Sequence, residues 1–176
     1  MAAIRGKSFI LVVSVLMLSC GLVSCERESG PAVNASERTL DFTLRDSSGA
    51  DYNFYDETAG KVVILNFWAE RCPACKVELP NLVALYNEYR DDGLIVIGVD
   101  VDGRGVSSLA NVASEYGVTY PLLTGNMAEL SQVIRELGGF RFIPTTYVMG
   151  RDGNIVDKAS GPKGKAYFEE AIRDLL

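Results

Sequence analysis

Histidine is absent from all 176 residues, and cysteine occurs only four times. A closed zinc site needs four ligands, usually a second C-x-x-C or histidines. Here Cys72 and Cys75 form the single C-x-x-C, while Cys20 and Cys25 sit in an N-terminal apolar segment. A Cys/His zinc centre therefore cannot be assembled once that segment is set aside. Positive charge is also scarce, with 17 Lys+Arg against 23 Asp+Glu and a net charge of −6. Phosphate backbones and polybasic membrane contacts need a cationic surface, so nucleic acid is excluded as a partner. The acidity by itself means solubility. No G-x-x-x-x-G-K-[ST] or G-x-G-x-x-G is present, so Gly103-Arg104-Gly105 reads as a loop and not a phosphate cradle. Internal repeats and low-complexity tracts are missing as well.

What is present begins with an address. Arg5 and Lys7 precede an apolar stretch, residues 9–18 (FILVVSVLML), and small residues follow, which is the layout of a secretory signal. The apolar stretch with its interruptions is short against the roughly 20 residues that span a bilayer. Leu22-Val23-Ser24-Cys25 resembles the lipobox of bacterial lipoproteins, in which cleavage precedes a cysteine that then receives lipid. Met17-Leu18-Ser19-Cys20 is a poorer version of the same pattern. The expectation is a signal peptide over residues 1–24, lipidation at Cys25, a polar linker over 25–38 and a folded domain over 39–176. A bacterial envelope location follows, outside the cytoplasm and tethered to the membrane by lipid. Removing the signal takes Arg5 and Lys7 with it and leaves the remainder more acidic still.

Residues 40–44 alternate with period two, Asp46-Ser47-Ser48-Gly49 supplies a turn, and Tyr52-Asn53-Phe54 resumes the alternation, predicting a hairpin. Residues 61–68 and 94–99 are nearly continuous apolar runs, as expected for strands buried on both faces. Between them, residues 73–89 carry apolar side chains mostly at helical spacing, which predicts a right-handed β-α-β unit with a parallel strand pair. Further helices are predicted over 106–116, 127–137 and 163–176. A short extended piece is predicted over 120–123, and a second hairpin over 145–149 and 154–159. The fold class is α/β with a mixed sheet.

The C-x-x-C falls at the junction of the first buried strand and its helix. Residues i and i+3 share one helix face, so the two sulfurs approach bonding distance with little backbone movement. Cys72 is placed near the helix N-terminus, where unpaired N–H groups and the positive end of the dipole favour a thiolate. Pro73 takes the first helical position, where its missing N–H costs nothing. A thiolate attacks disulfides, so this pattern points to thiol–disulfide chemistry. A purely structural disulfide is the alternative, although so short a loop would constrain the unfolded chain little.

Asn66-Phe67-Trp68-Ala69, Cys72-Pro73-Ala74-Cys75, Glu78-Leu79-Pro80, Ile143-Pro144-Thr145-Thr146 and Arg151-Asp152-Gly153 occur in an order and spacing that resemble the TlpA/ResA-like branch of thioredoxin-fold proteins. These are membrane-tethered thiol–disulfide oxidoreductases of the bacterial envelope. The resemblance covers the chain from about residue 40 to 176. It implies a three-layer α/β/α arrangement with a central mixed sheet and an N-terminal β-hairpin. It further implies that Cys72 attacks and Cys75 resolves, that Pro144 is the family's cis-proline, and that the backbone of Ile143 pairs with an extended substrate. Glu78 matches an acid near the cysteines that could pass protons or disfavour a thiolate; alternatively it is a first-turn carboxylate favoured by the dipole. Trp68 is expected as a wall of the site or as core. Pro80 matches a structural kink. Arg71, where many relatives carry Trp, could favour the Cys72 thiolate or be a solvated side chain. Asn66 stands where cytoplasmic thioredoxins carry an aspartate, and an amide cannot exchange protons.

The implied activity is reduction of a disulfide-containing protein, with apocytochrome c the branch's best-known example. A membrane thiol carrier would be the electron donor, and no bound cofactor would be needed. A disulfide-introducing oxidant is the rival with the same chemistry. A peroxidase would need a P-x-x-x-T-x-x-C setting, and a copper-delivery protein of this fold uses C-x-x-x-C with a distant histidine; both patterns are missing.

Overall fold

A computed structural model describes residues 40–176; Cys20, Cys25, the signal segment and the linker over 25–38 lie outside the described residues. The strands are β1 (Thr43–Asp46), β2 (Asp51–Asn53), β3 (Val62–Trp68), β4 (Leu94–Asp100), β5 (Leu122–Thr124), β6 (Thr145–Met149) and β7 (Ile155–Ser160). They form one seven-stranded sheet in the order β2-β1-β5-β4-β3-β6-β7. β3, β4 and β5 run parallel, and the remaining pairs are antiparallel. The helices are α1 (Phe54–Thr58), α2 (Pro73–Tyr89), α3 (Val106–Tyr116), α4 (Met127–Glu136) and α5 (Lys165–Ile172).

Every residue of β3 and β4 is buried, and the period-two geometry of a strand divides their side chains between two cores. Val62, Ile64 and Trp68 pack with Leu79, Leu82 and Leu85 of α2, Leu109 and Val112 of α3, and Phe168 and Ile172 of α5. Val63, Leu65 and Phe67 pack with Phe54 of α1 and with Leu130 and Val133 of α4. Three layers result, α/β/α. A strand with no polar face is stable only when helices cover both sides, and each covered aliphatic side chain contributes about 1.5–3 kcal/mol by leaving water.

The helix predicted over 73–89 is α2 to the residue, and its internal Pro80 does not end it. One apolar side chain of this helix, Val77, is 64% exposed and off the core face. Phe54 belongs to a helix and not to the hairpin strand. Asn53 Oδ1 accepts the amide of Asp56 at 2.9 Å, and the resulting five-residue helix is too short to register as periodicity. The last helix starts at Lys165, not Lys163, because Gly164 takes extended φ and ψ of −79° and 163° and forms its N-cap.

Candidate active site

β3 ends at Trp68, and a tight turn (Cys72 N–H to Ala69 C=O, 3.0 Å) delivers Cys72 to the N-cap of α2 with extended φ and ψ of −89° and 105°. Pro73 then sits in the first turn. Cys72 and Cys75 form a disulfide across a Cα separation of 5.2 Å. The amide of Cys75 points at Cys72 Sγ, 3.1 Å away. That donor, at the positive end of the helix dipole, is placed to hold negative charge on Sγ when the disulfide opens. Cys72 is half-buried, whereas Cys75 is only 1% exposed. An incoming sulfur therefore reaches Cys72 first.

The loop before β6 lies against the cysteines. The Ile143–Pro144 peptide bond is cis, and the carbonyl oxygen of Ile143 is 3.8 Å from Cys72 Sγ. Two contacts anchor this loop: the Gly161 amide donates to the Pro144 carbonyl at 2.9 Å, and the Thr145 hydroxyl donates to the Phe142 carbonyl at 2.7 Å. Among the described residues, neither the N–H nor the C=O of Ile143 takes part in a backbone–backbone hydrogen bond. A backbone with no partner of its own beside a reactive sulfur is a place where an extended chain can pair.

Below the surface is a buried polar network set by register. β3 and β6 align Asn66 with Thr146, and both side chains face α2. Glu78, one turn beyond Cys75, meets them there and is 1% exposed. Its Oε2 accepts Asn66 Nδ2 at 2.7 Å and Thr146 Oγ1 at 3.2 Å, and its Oε1 accepts the Lys163 amide at 2.9 Å. Burial raises the Glu78 pKa above the ordinary carboxylate value, with the Lys163, Thr146 and Asn66 hydrogen bonds opposing that rise. Burial thus favours the protonated form, the form in which a carboxyl can donate a proton.

A profile of the AhpC/TSA family matches residues 35–158. The chain belongs to the AhpC/TSA family. Within it, the chain is similar to the thiol-disulfide oxidoreductase ResA of Bacillus thuringiensis subsp. konkukian, 24% identical over 176 residues that cover 97% of this chain and 98% of the relative. It is also similar to ResA of Halalkalibacterium halodurans, 29% identical over 136 residues, or 77% of this chain and 74% of the relative. Among solved structures, a thiol:disulfide interchange protein of the thioredoxin family from Chlorobium tepidum matches with a TM-score of 0.66 and 26% identity, covering 78% of this chain and 94% of that one. The thioredoxin domain of a Bacteroides vulgatus thiol-disulfide oxidoreductase matches with a TM-score of 0.69; at 22% identity over 78% of this chain and 95% of that one, it speaks for the fold alone. With the Cys72–Cys75 pair, these relatives place the chain among thiol–disulfide oxidoreductases of thioredoxin fold.

In this AhpC/TSA member Trp68 is 1% exposed and shares a core cluster with Cys75, so it packs within the core and does not wall the site for a substrate. Its indole fits because Gly98 faces it: a Cβ there would lie 3.0 Å from Trp68 Nε1 and 2.6 Å from Leu122 Cδ2. Arg71 is exposed beside Cys72 and has no ion pair within 4.0 Å among the described residues. Asp100, the register partner of Trp68, escaped the sequence reading. It is fully buried and accepts the amides of Asp102 (3.2 Å) and Arg104 (3.4 Å), shaping the loop after β4. The sequence signal was an acid closing an otherwise apolar run. Nearby, Glu70 accepts the Ser108 hydroxyl at 2.9 Å and lies 3.8 Å from Arg104. Among the described residues no group of three or more His, Cys, Asp or Glu side chains is placed to hold a metal.

Proposed function

We propose that this protein is a lipid-anchored, extracytoplasmic oxidoreductase that reduces disulfides in partner proteins. The observation that carries the reading is the asymmetry of the pair: a reachable Cys72 beside the unpaired backbone of Ile143, and a Cys75 held under it. In the reduced protein the Cys72 thiolate attacks one sulfur of the partner's disulfide. A mixed disulfide forms, and the first partner sulfur leaves as a thiolate that takes up a proton. Cys75, as thiolate, then attacks Cys72 Sγ, closing the Cys72–Cys75 disulfide and releasing the second partner thiol. Two electrons pass to the partner, and a membrane dithiol carrier returns the pair to the reduced state. Glu78, one turn from Cys75 in α2, exchanges the protons these steps require, a role supported by its burial and raised pKa. Apocytochrome c, with its own C-x-x-C awaiting haem, is a substrate of the right chemistry.

The reduction potential of the Cys72–Cys75 couple tests the direction. A value near or below thioredoxin's about −270 mV supports a reductant, and one near DsbA's about −120 mV makes the protein an oxidant. Substituting Cys75→Ser should arrest the first step and trap partners on Cys72; a Cys72→Ser variant that traps equally well would reverse the assigned roles. Metabolic labelling with palmitate should mark the protein and be lost in Cys25→Ser, and retention of label would refute that anchor.

A further inference from the structure

We propose that the rim around the cysteine pair is a docking surface for an acidic segment of the partner protein, with an apolar side chain next to the partner's cysteine seated on Phe142. The inference rests on the thiol–disulfide exchange described above and adds the chemistry of the partner. Phe142 is 71% exposed, the most exposed of the large hydrophobic residues of the fold. It directly precedes Ile143, whose carbonyl lies 3.8 Å from Cys72 Sγ, and its own carbonyl is held by the Thr145 hydroxyl. An apolar ring on an anchored backbone beside the attacking sulfur is suited to a hydrophobic contact with an extended chain.

Charge supplies the second, independent observation. The chain is acidic overall, yet the residues flanking the site are cationic: Arg71 and Lys76 adjoin the two cysteines, Arg141 precedes Phe142, and Lys163 belongs to the loop tied to Glu78 and Pro144. Among the described residues none of these four has a carboxylate partner within 4.0 Å; away from the site Arg45, Arg90, Lys165 and Arg173 have one, while Lys61, Arg135, Arg151 and Lys158 do not. Lys76 and Lys163 instead lie over the rings of Tyr116 and Tyr167, at 5.7 and 5.3 Å, which positions their charge without neutralising it. The nearby acids Glu70 and Asp102 are both within ion-pair reach of Arg104. A positive rim on a negative protein favours encounter with a negative partner segment and disfavours a positive one.

The test compares two disulfide-bridged peptides with the same Leu beside the cysteine, one flanked by Asp and Glu and the other by Lys. Their rates of reduction by the reduced protein are measured at about 0.01 M and about 1 M salt, where the screening length falls from roughly 30 Å to roughly 3 Å. The acidic peptide should react on the order of tenfold faster at low salt, and the advantage should collapse at high salt. Combined Lys76→Glu, Arg141→Glu and Lys163→Glu substitutions should invert the ratio. The acidic peptide with Leu should also react faster than the same peptide with Ser in its place, and Phe142→Ala should remove that preference. Because each readout is a ratio within one protein, a general loss of folding or reactivity cancels. Equal rates at low salt, or a ratio untouched by charge reversal, overturn the proposal. Binding to phosphatidylglycerol vesicles with no peptide preference would assign the rim to a membrane surface and overturn it too. Hydroxyethyl disulfide, small and uncharged, separates the two levels. If it is reduced while the peptides show no preference, only the docking surface fails; if it is not reduced, the exchange reading fails and this inference with it.

Discussion

Replacing Glu78 with Gln isolates the electrostatics beneath the cysteine pair. Glutamine has nearly the shape of the protonated carboxyl, so in acid the two proteins should differ by no more than about 1 kcal/mol, the net worth of one rearranged hydrogen bond. The wild-type carboxyl is surrounded by three donors, from Asn66, Thr146 and Lys163, yet burial is the larger influence and raises its pKa in the folded state above the ordinary value of 4.5. In the unfolded chain the group returns to that ordinary value. Between the two values the folded state holds a proton that the unfolded state has released. Its contribution to stability is therefore fully present below pH 4.5 and is lost as pH rises through the folded value, with a slope of about 1.4 kcal/mol per pH unit. The Gln variant has no such loss, so it should gain on the wild type as pH rises from 4.5 and then run parallel to it. Urea unfolding of both oxidised proteins across the acid-to-neutral range measures the difference, since the disulfide keeps both cysteines from titrating and all other groups cancel. If the wild type instead gains on the variant as pH rises, the three hydrogen bonds outweigh burial, Glu78 is an anion at neutral pH, and its place as a proton donor falls.

Gly98→Ala should cost about 1–3 kcal/mol through overpacking, because the new methyl would press on Leu122 and the Trp68 indole; unchanged thermal stability together with unchanged emission from Trp68, the sole tryptophan, would contradict it. Arg151 donates to the carbonyls of Gly60, Asp92, Leu175 and Leu176 at 2.8–3.1 Å, joining three separate chain segments. Arg151→Ala should lower stability by about 2 kcal/mol, and a loss under about 0.5 kcal/mol would show that water replaces those bonds without penalty. Asn126 caps α4 in a reciprocal box with Glu129. Asn126→Ala should cost about 0.5–2 kcal/mol in denaturant unfolding, and a neutral result would mean that packing of Leu130 and Val133 alone sets this helix.

The amino-acid order alone decided much of this protein. Nearly continuous apolar runs at 62–68 and 94–99 dictated buried strands, because only burial on both faces explains a strand with no polar face. Cys72-Pro73-Ala74-Cys75 dictated a sulfur pair at a helix start, because N-cap geometry, proline at the first turn and the i, i+3 spacing are all local. What depended on distant parts of the chain stayed hidden. The pairing of Asn66 with Thr146 comes from β3–β6 register across 80 residues, and it makes the cradle that holds Glu78. The Lys163 amide turns to that carboxylate across 85 residues, a contact no propensity records. Trp68 could have faced a substrate or the interior; the space left by Gly98 and the cover of α2 sent it inward. The cationic rim likewise joins residues near 71, 141 and 163 that are neighbours only because the loops before β6 and after β7 close over one helix end. Local sterics and hydrophobic pattern act along the chain and can be read there, while register, burial and charge proximity act through space and exist only once the sheet has formed.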